Sequence, residues 1–236
     1  MPCPLRHDHF REILEQALAS GYRFYTCAQY VARRPDEELV AVLRHDIDIL
    51  PERAPAMASI EAELGISATY FFRLHANEYN ALSHENLAIM RDLVDQGHEV
   101  GLHAEPLDLR ASCGVEPATG IQVAVETLRG LLGVPVVGVA SHNDITPDNN
   151  LDFFREHPAE QLGLAYEAYD EHALNLFPTS WYITDGYFWR WRAFDHGRLT
   201  DNEDCLCKHV AAARTPLYCL VHPHLWYAQH AHRVRY

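Results

Sequence analysis

The sequence lacks any apolar run approaching the ~20 residues that a membrane span needs. It also lacks a long basic stretch, with 19 Lys and Arg against 33 Asp and Glu. The first absence argues against a membrane helix and the second against nucleic acid, whose phosphates call for clustered positive charge. The opening residues Met1-Pro2-Cys3-Pro4-Leu5-Arg6-His7-Asp8 have no apolar core of the kind a secretory leader carries. A soluble cytoplasmic protein is expected, with neither membrane nor nucleic acid as partner. Cysteine is sparse, six in 236 residues, and without a leader these are expected as reduced thiols. Cys205-x-Cys207 with His209 lacks the second pair that a closed structural zinc site requires, so it reads as a helix-borne thiol pair.

What is present is enough apolar material for a substantial core, 48% of the chain, and no linker to divide it. Strands and helices alternate. Helices are expected at 8–20, at 51–64 with Met57, Ile60 and Leu64 in register, after a Ser83 cap with Leu87, Met90, Leu93 and Val94 on one face, and at 117–132. Shorter ones are expected at 151–156 and 201–212. Strands are expected at 39–43, 66–72, 99–103, 134–140, 163–166, 181–184 and 217–221. About seven strands alternating with helices imply a parallel sheet, either barrel or open.

The polar residues favour the barrel. Asp46 and Asp48 follow the first of these strands, His103 and Glu105 the third, Ser141 and His142 the fourth, Asp185 the sixth, His222 and His224 the last. Strand ends converge in a closed barrel, whereas the outer strands of an open sheet need not meet. Alternation in extended chain points Asp46 and Asp48 the same way while His45 and Ile47 face elsewhere, and two close carboxylates favour a bound cation. The expected architecture is one α/β domain over 1–236, a distorted (β/α)7-type barrel, with 1–38 as a helical extension packed on it. The expected site holds a divalent metal among histidines and carboxylates.

Three stretches carry a resemblance to a known family. Leu43-Arg44-His45-Asp46-Ile47-Asp48, Gly97-His98-Glu99-Val100-Gly101-Leu102-His103 and Leu220-Val221-His222-Pro223 resemble the metal-dependent polysaccharide deacetylase superfamily, in a cytoplasmic branch associated with surface-polysaccharide metabolism. The resemblance implies a barrel of about seven strands, Asp46 as general base, Asp48 and His103 as ligands of a divalent metal, commonly zinc, and His222 as general acid. It implies hydrolysis of the amide of an N-acetylated sugar or oligosaccharide. A hydrolase of a non-sugar C–N bond and a non-catalytic glycan-binding barrel stand beside it as alternatives.

The chain departs from that family in two places. Where a second histidine stands four residues after the first, it has Leu107, and Ser141-His142-Asn143 replaces the usual arginine-bearing motif. Glu105 and His142 both stand at the right end to complete the metal site. A set of Asp48, His103 and His142 leaves the ion the stronger Lewis acid, so His142 is expected as third ligand and Glu105 as a group behind it or facing substrate. Asp185 and Trp189 are expected to contact substrate. The aromatic run Trp181, Tyr182, Tyr187, Phe188, Trp189 and Trp191 is read either as a sugar-stacking wall or as core.

Overall fold

The structure, a computed structural model, describes residues 3–143, 146–187 and 190–228. The strands are β1 (Arg23–Tyr25), β2 (Val40–Ile47), β3 (Thr69–Phe72), β4 (Glu99–Ala104), β5 (Gly138–Ser141), β6 (Tyr166–Glu167), β7 (Trp181–Tyr187), β8 (Arg190–Asp195), β9 (Arg198–Leu199) and β10 (Leu217–Val221). The helices are α1 (His7–Ala19), α2 (Cys27–Arg33), α3 (Ala54–Glu63), α4 (His84–Asp95), α5 (Pro106–Cys113), α6 (Pro117–Leu132), α7 (Asn150–Glu156) and α8 (Leu206–Ala211). Among the described residues no helix is long and apolar enough to cross a membrane.

Local chemistry explains the long helices. In α6, Pro117 occupies the first turn, where no amide is needed, and the Glu116 carboxylate accepts from the amides of Ala118 and Thr119. Gly133 closes it at φ 71°, and Ile121, Val125 and Leu128 form the buried stripe. Ser83 caps α4 by accepting from the Asn86 amide.

The sheet runs β6-β5-β4-β3-β2-β10-β7-β8-β9, with β1 also paired to β2. Every pairing from β6 to β7 is parallel, and only the pairings of β8, with β7 and with β9, are antiparallel. All eight residues of β2 are buried, which requires cover on both faces. Its odd-numbered Ala41, Leu43 and Ile47 join the core beneath the helices. Its even-numbered Val40 and Val42 join a second core with Phe71, Ala140, Tyr166, Tyr182 and Tyr218, contributed by β3, β5, β6, β7 and β10.

That second core is a barrel interior. Six strand spacings separate β6 from β7 along the ladder, about 29 Å in a flat sheet. Yet Tyr169, just past β6, brings its hydroxyl within 3.1 Å of the Tyr182 hydroxyl on β7, and Tyr218 donates to the Ala168 carbonyl at 2.9 Å. The sheet therefore wraps until side chains join edges that no described backbone ladder connects. Gly138 makes room inside, because a Cβ there would lie 2.1 Å from the Tyr166 hydroxyl.

Several short elements differ from expectation. The extension ahead of β2 is not purely helical, since β1 adds a parallel pair to β2. Pro106 starts α5 in a stretch with no expected helix, and the strand expected from residue 134 begins at Gly138. The run after β7 folds back as β8, so Trp191 is buried in the core.

Candidate metal centre and active site

The parity that divides β2 between two cores also places its charges. Arg44, Asp46 and Asp48 follow Val40 and Val42 on the interior face, where a buried charge needs a partner. Arg44 Nη2 donates to Asp46 Oδ2 at 2.6 Å and to the Tyr169 hydroxyl at 2.9 Å, and Nη1 donates to the Tyr218 hydroxyl at 2.9 Å. Burial disfavours the charge of Asp46, but Arg44, His103 and His222 outweigh it and hold the carboxyl below its usual range. Asp46 is thus ionised at neutral pH, with Oδ2 committed to Arg44 and Oδ1 making no hydrogen bond.

His103, near the end of β4, has Nδ1 2.9 Å from the Ala140 carbonyl. That bond fixes the proton on Nδ1 and leaves Nε2 to face the carboxylates, 3.3 Å from Asp48 Oδ1 and 3.4 Å from Asp46 Oδ2. His142 follows β5, and its amide donates to the Ala104 carbonyl at 2.9 Å, extending the β4–β5 ladder by one step. Its Nε2 lies 3.7 Å from Asp48 Oδ1, and its ring meets that of His103 edge-on at 4.9 Å. Asp48, His103 and His142 each offer a donor atom within 4.8 Å of the others.

These residues fit a divalent ion. Nitrogen and oxygen ligands about 2.0–2.2 Å from a tetrahedral ion sit about 3.3–3.6 Å apart. The Asp48–His103 and Asp48–His142 separations of 3.3 and 3.7 Å agree. Asp48 Oδ1 is buried and makes no hydrogen bond, so it is open to a cation. Burial disfavours the charge of His103, yet Asp46 and Asp48 overcome it and raise its pKa, so the cluster draws positive charge to itself. Burial likewise opposes the charge of Asp48, but His103, His222 and His142 hold its carboxyl ionised.

Glu105 stands behind His142 rather than on the cavity wall. It is buried, its Oε1 accepts from Arg73 Nε at 3.2 Å and Nη2 at 2.8 Å, and the same oxygen lies 3.1 Å from His142 Nδ1. His222, just past β10, faces the cluster with Nε2 3.7 Å from Asp48 Oδ2. Burial works against its charge, but the hydrogen bond and charge of Asp185, with Asp48 and Asp46, push its pKa up to about 9. Gly186 makes room for this ring, since a Cβ there would come within 2.4 Å of His222 Cε1.

Asp185, expected to touch substrate, does not line the cavity. It is fully buried and serves His222, whose Nδ1 and amide it binds. Trp189 lies outside the described residues. Of the aromatic run, Tyr182 faces the cavity with Phe177 and Phe194 packed against it at 5.2 and 5.5 Å, while Trp181 carries the Arg214 guanidinium over its ring at 3.7 Å. The cavity itself measures about 820 Å³, with Asp46, Asp48, His103, His142 and His222 among its lining.

Two site residues were given no role from sequence. Arg44 stood in view, two residues from Asp46 on the same face, and parity alone could have assigned it. Tyr169 could not be found that way, because it reaches Arg44 from a loop 125 residues away.

The fold is similar to that of Streptococcus pyogenes deacetylase PplD in complex with acetate, at 17% identity and TM-score 0.51, covering 66% of this chain and 69% of PplD. It is also similar to a mutant of BA3943, a CE4 family pseudoenzyme with restored enzymatic activity, at 16% identity and TM-score 0.50, covering 80% of this chain and 58% of that one. Wild-type BA3943, from Bacillus anthracis, aligns at TM-score 0.49. No family profile matches the chain, and no curated protein matches it. The chain thus shares its α/β barrel fold with PplD and with the BA3943 mutant.

Proposed function

We propose that this chain is a metal-dependent amide hydrolase that removes the acetyl group from an N-acetylated amino sugar, free or within an oligosaccharide or sugar conjugate. One observation carries the reading: an ionised carboxylate, an Asp-His-His cluster and a histidine with raised pKa meet in one cavity. Those are the parts that hydrolysis of an unactivated amide requires.

Asp48, His103 and His142 would hold the ion, zinc by the chemistry of its ligands, and the ion would supply Lewis acidity for water and for the amide carbonyl. Asp46 Oδ1, free of other bonds, takes the proton from the attacking water. Arg44 keeps Asp46 ionised and fixes its other oxygen. As the C–N bond breaks, His222 gives its Nε2 proton to the departing nitrogen, while the proton on Nδ1 stays in place, hydrogen-bonded to Asp185. One water is consumed, and acetate and a free amine leave. Glu105 orients His142, and Tyr182 lines the cavity that a sugar ring would enter. The deacetylase activity of PplD supports the choice of an acetyl group.

Acetate release by zinc-loaded protein over a panel of acetylated amino sugars and their nucleotide conjugates tests this. Release from at least one substrate, lost on chelation and restored by metal, is expected. Stoichiometric metal with no release across the panel would overturn the sugar assignment in favour of another C–N bond. Absence of bound metal at neutral pH would overturn the hydrolase assignment in favour of a glycan-binding barrel.

A further inference from the structure

Four metal-ligating side chains, none of them lining the cavity, meet at one place in the fold. Cys3 precedes α1 and His9 sits in its first turn. Cys205 immediately precedes α8, and Cys207 lies in its first turn. Cys3 Sγ lies 3.8 Å from Cys207 Sγ, and His9 Nε2 lies 3.4 Å from Cys205 Sγ. All four donor atoms are within 4.8 Å of one another.

Those spacings match a tetrahedral site. Zinc holds sulfur at about 2.3 Å and imidazole nitrogen at about 2.0–2.1 Å, which sets two sulfurs about 3.8 Å apart and a sulfur and a nitrogen about 3.6 Å apart. The imidazole is oriented as a ligand is. His9 Nδ1 lies 3.1 Å from Glu12 Oε2, and a carboxylate on the far nitrogen fixes the tautomer that presents Nε2 to a metal. Cys205 is buried, while Cys3, His9 and Cys207 are half-buried, so the cluster is shielded yet open to an entering ion.

We propose that Cys3, His9, Cys205 and Cys207 bind a zinc-class divalent cation in a closed four-ligand site, separate from the Asp48 centre. On entry the three thiols lose their protons to solvent and His9 binds as neutral imidazole, giving three negative charges around two positive ones. With all four positions taken by protein, the ion has no place for substrate and acts as a clip. It ties the segment before α1 to α8, the last helix before β10 and therefore before His222. Sequence spacing conceals the set because its halves lie at opposite ends of the chain.

Cobalt(II) reports this site without a variant. Full-length protein, reduced and stripped of metal, is titrated with cobalt(II). Intense near-ultraviolet thiolate-to-cobalt bands and strong visible bands of a tetrahedral ion are expected, saturating at one equivalent and abolished by zinc. An oxygen and nitrogen site such as that of Asp48 gives no thiolate band, so Asp48→Ala should keep the signal. Cys3→Ser and Cys207→Ser, each removing one of three thiolates, should each weaken and shift it. Chelation of the zinc-loaded wild type should lower its melting temperature more than chelation of zinc-loaded Cys3→Ser does. Folded, reduced protein without thiolate bands would overturn the proposal. So would bands unchanged in Cys207→Ser, or a peptide map of the protein before reduction that finds Cys3 joined to Cys207.

Discussion

His222 Nδ1 lies 2.6 Å from Asp185 Oδ1, and the other oxygen of that carboxylate accepts from Trp226 Nε1 at 2.7 Å. Asp185 is fully buried, so both its oxygens are committed and the His222 ring is held by a carboxylate that cannot turn away. An imidazole fixed at Nδ1 has one proton to offer, at Nε2.

His222→Ala should therefore lower kcat/KM on amide substrates by about 10²–10⁴-fold, the usual worth of a placed general acid. The loss should be smallest on substrates whose leaving group needs no proton, and metal content should not change. Equal loss across leaving groups would assign His222 a structural or ligand role instead.

Asp48 and Asp46 should fail differently. Asp48→Ala should lose the active-site metal, whereas Asp46→Asn should keep it and lose turnover by about 10²–10⁴-fold. His142→Ala should also lose metal, measured with the thiol cluster blocked or subtracted. Full retention by His142→Ala would remove His142 from the ligand set, and equal metal loss in both aspartate variants would undo the assignment of Asp46 as base.

Arg44→Met keeps the length of the side chain and removes the partner of a buried carboxylate. Breaking a buried pair on one side costs about 3–5 kcal/mol, and urea unfolding should show a lower midpoint with an unchanged slope. Turnover should fall as well, since Asp46 then favours its protonated form. A midpoint within error of wild type would mean that Asp46 draws its ionisation from elsewhere.

How much of this was legible depends on whether the deciding interaction is local. The spans of α1 and α6, the stripe and Ser83 cap of α4 and the shared face of Asp46 and Asp48 follow from periods of a few residues, and they stood in the sequence. Strand β1 did not, because three residues carry no alternation and are held by pairing with Val40, Ala41 and Val42. Helix α5 did not either, because a proline is as compatible with extended chain before it as with a helix's first turn, which is where Pro106 stands. Asp185 was read from its place at a strand end. Parity would have corrected that, since Tyr182 and Thr184 line the cavity and Asp185 faces the other way. The contacts of Tyr169 and of Cys3 with Cys207 come from closure of the fold and have no local signal.

Glu99 makes a pH-dependent contribution that can be isolated. Its carboxylate accepts from the Ala28 amide at 3.0 Å, Thr69 Oγ1 at 2.8 Å and the Tyr166 hydroxyl at 2.7 Å. Burial nevertheless raises its pKa above the ordinary 4.5, the hydrogen bonds only partly offsetting it. The folded state then holds the proton more tightly than the unfolded state. Its contribution to stability is fully present below the ordinary value and is lost as pH rises through the folded one. Glu99→Gln should therefore gain on wild type in urea midpoint as pH rises across that window and then hold level. A difference constant with pH would show that Glu99 does not titrate there.

Arg44 and Asp46 belong to one strand, two residues apart, and this makes the pair insensitive to breathing of the barrel. A contact between neighbouring strands lengthens whenever thermal motion parts them. The spacing of residues two apart is set by the pleat of the backbone, which such motion leaves intact. The Tyr169 hydroxyl reaches Arg44 across the joint between β6 and β7 and is exposed to such motion, whereas Asp46 moves with Arg44. On the proposed function, the barrel would loosen its wall to admit a bulky sugar and still hold the charge on Asp46.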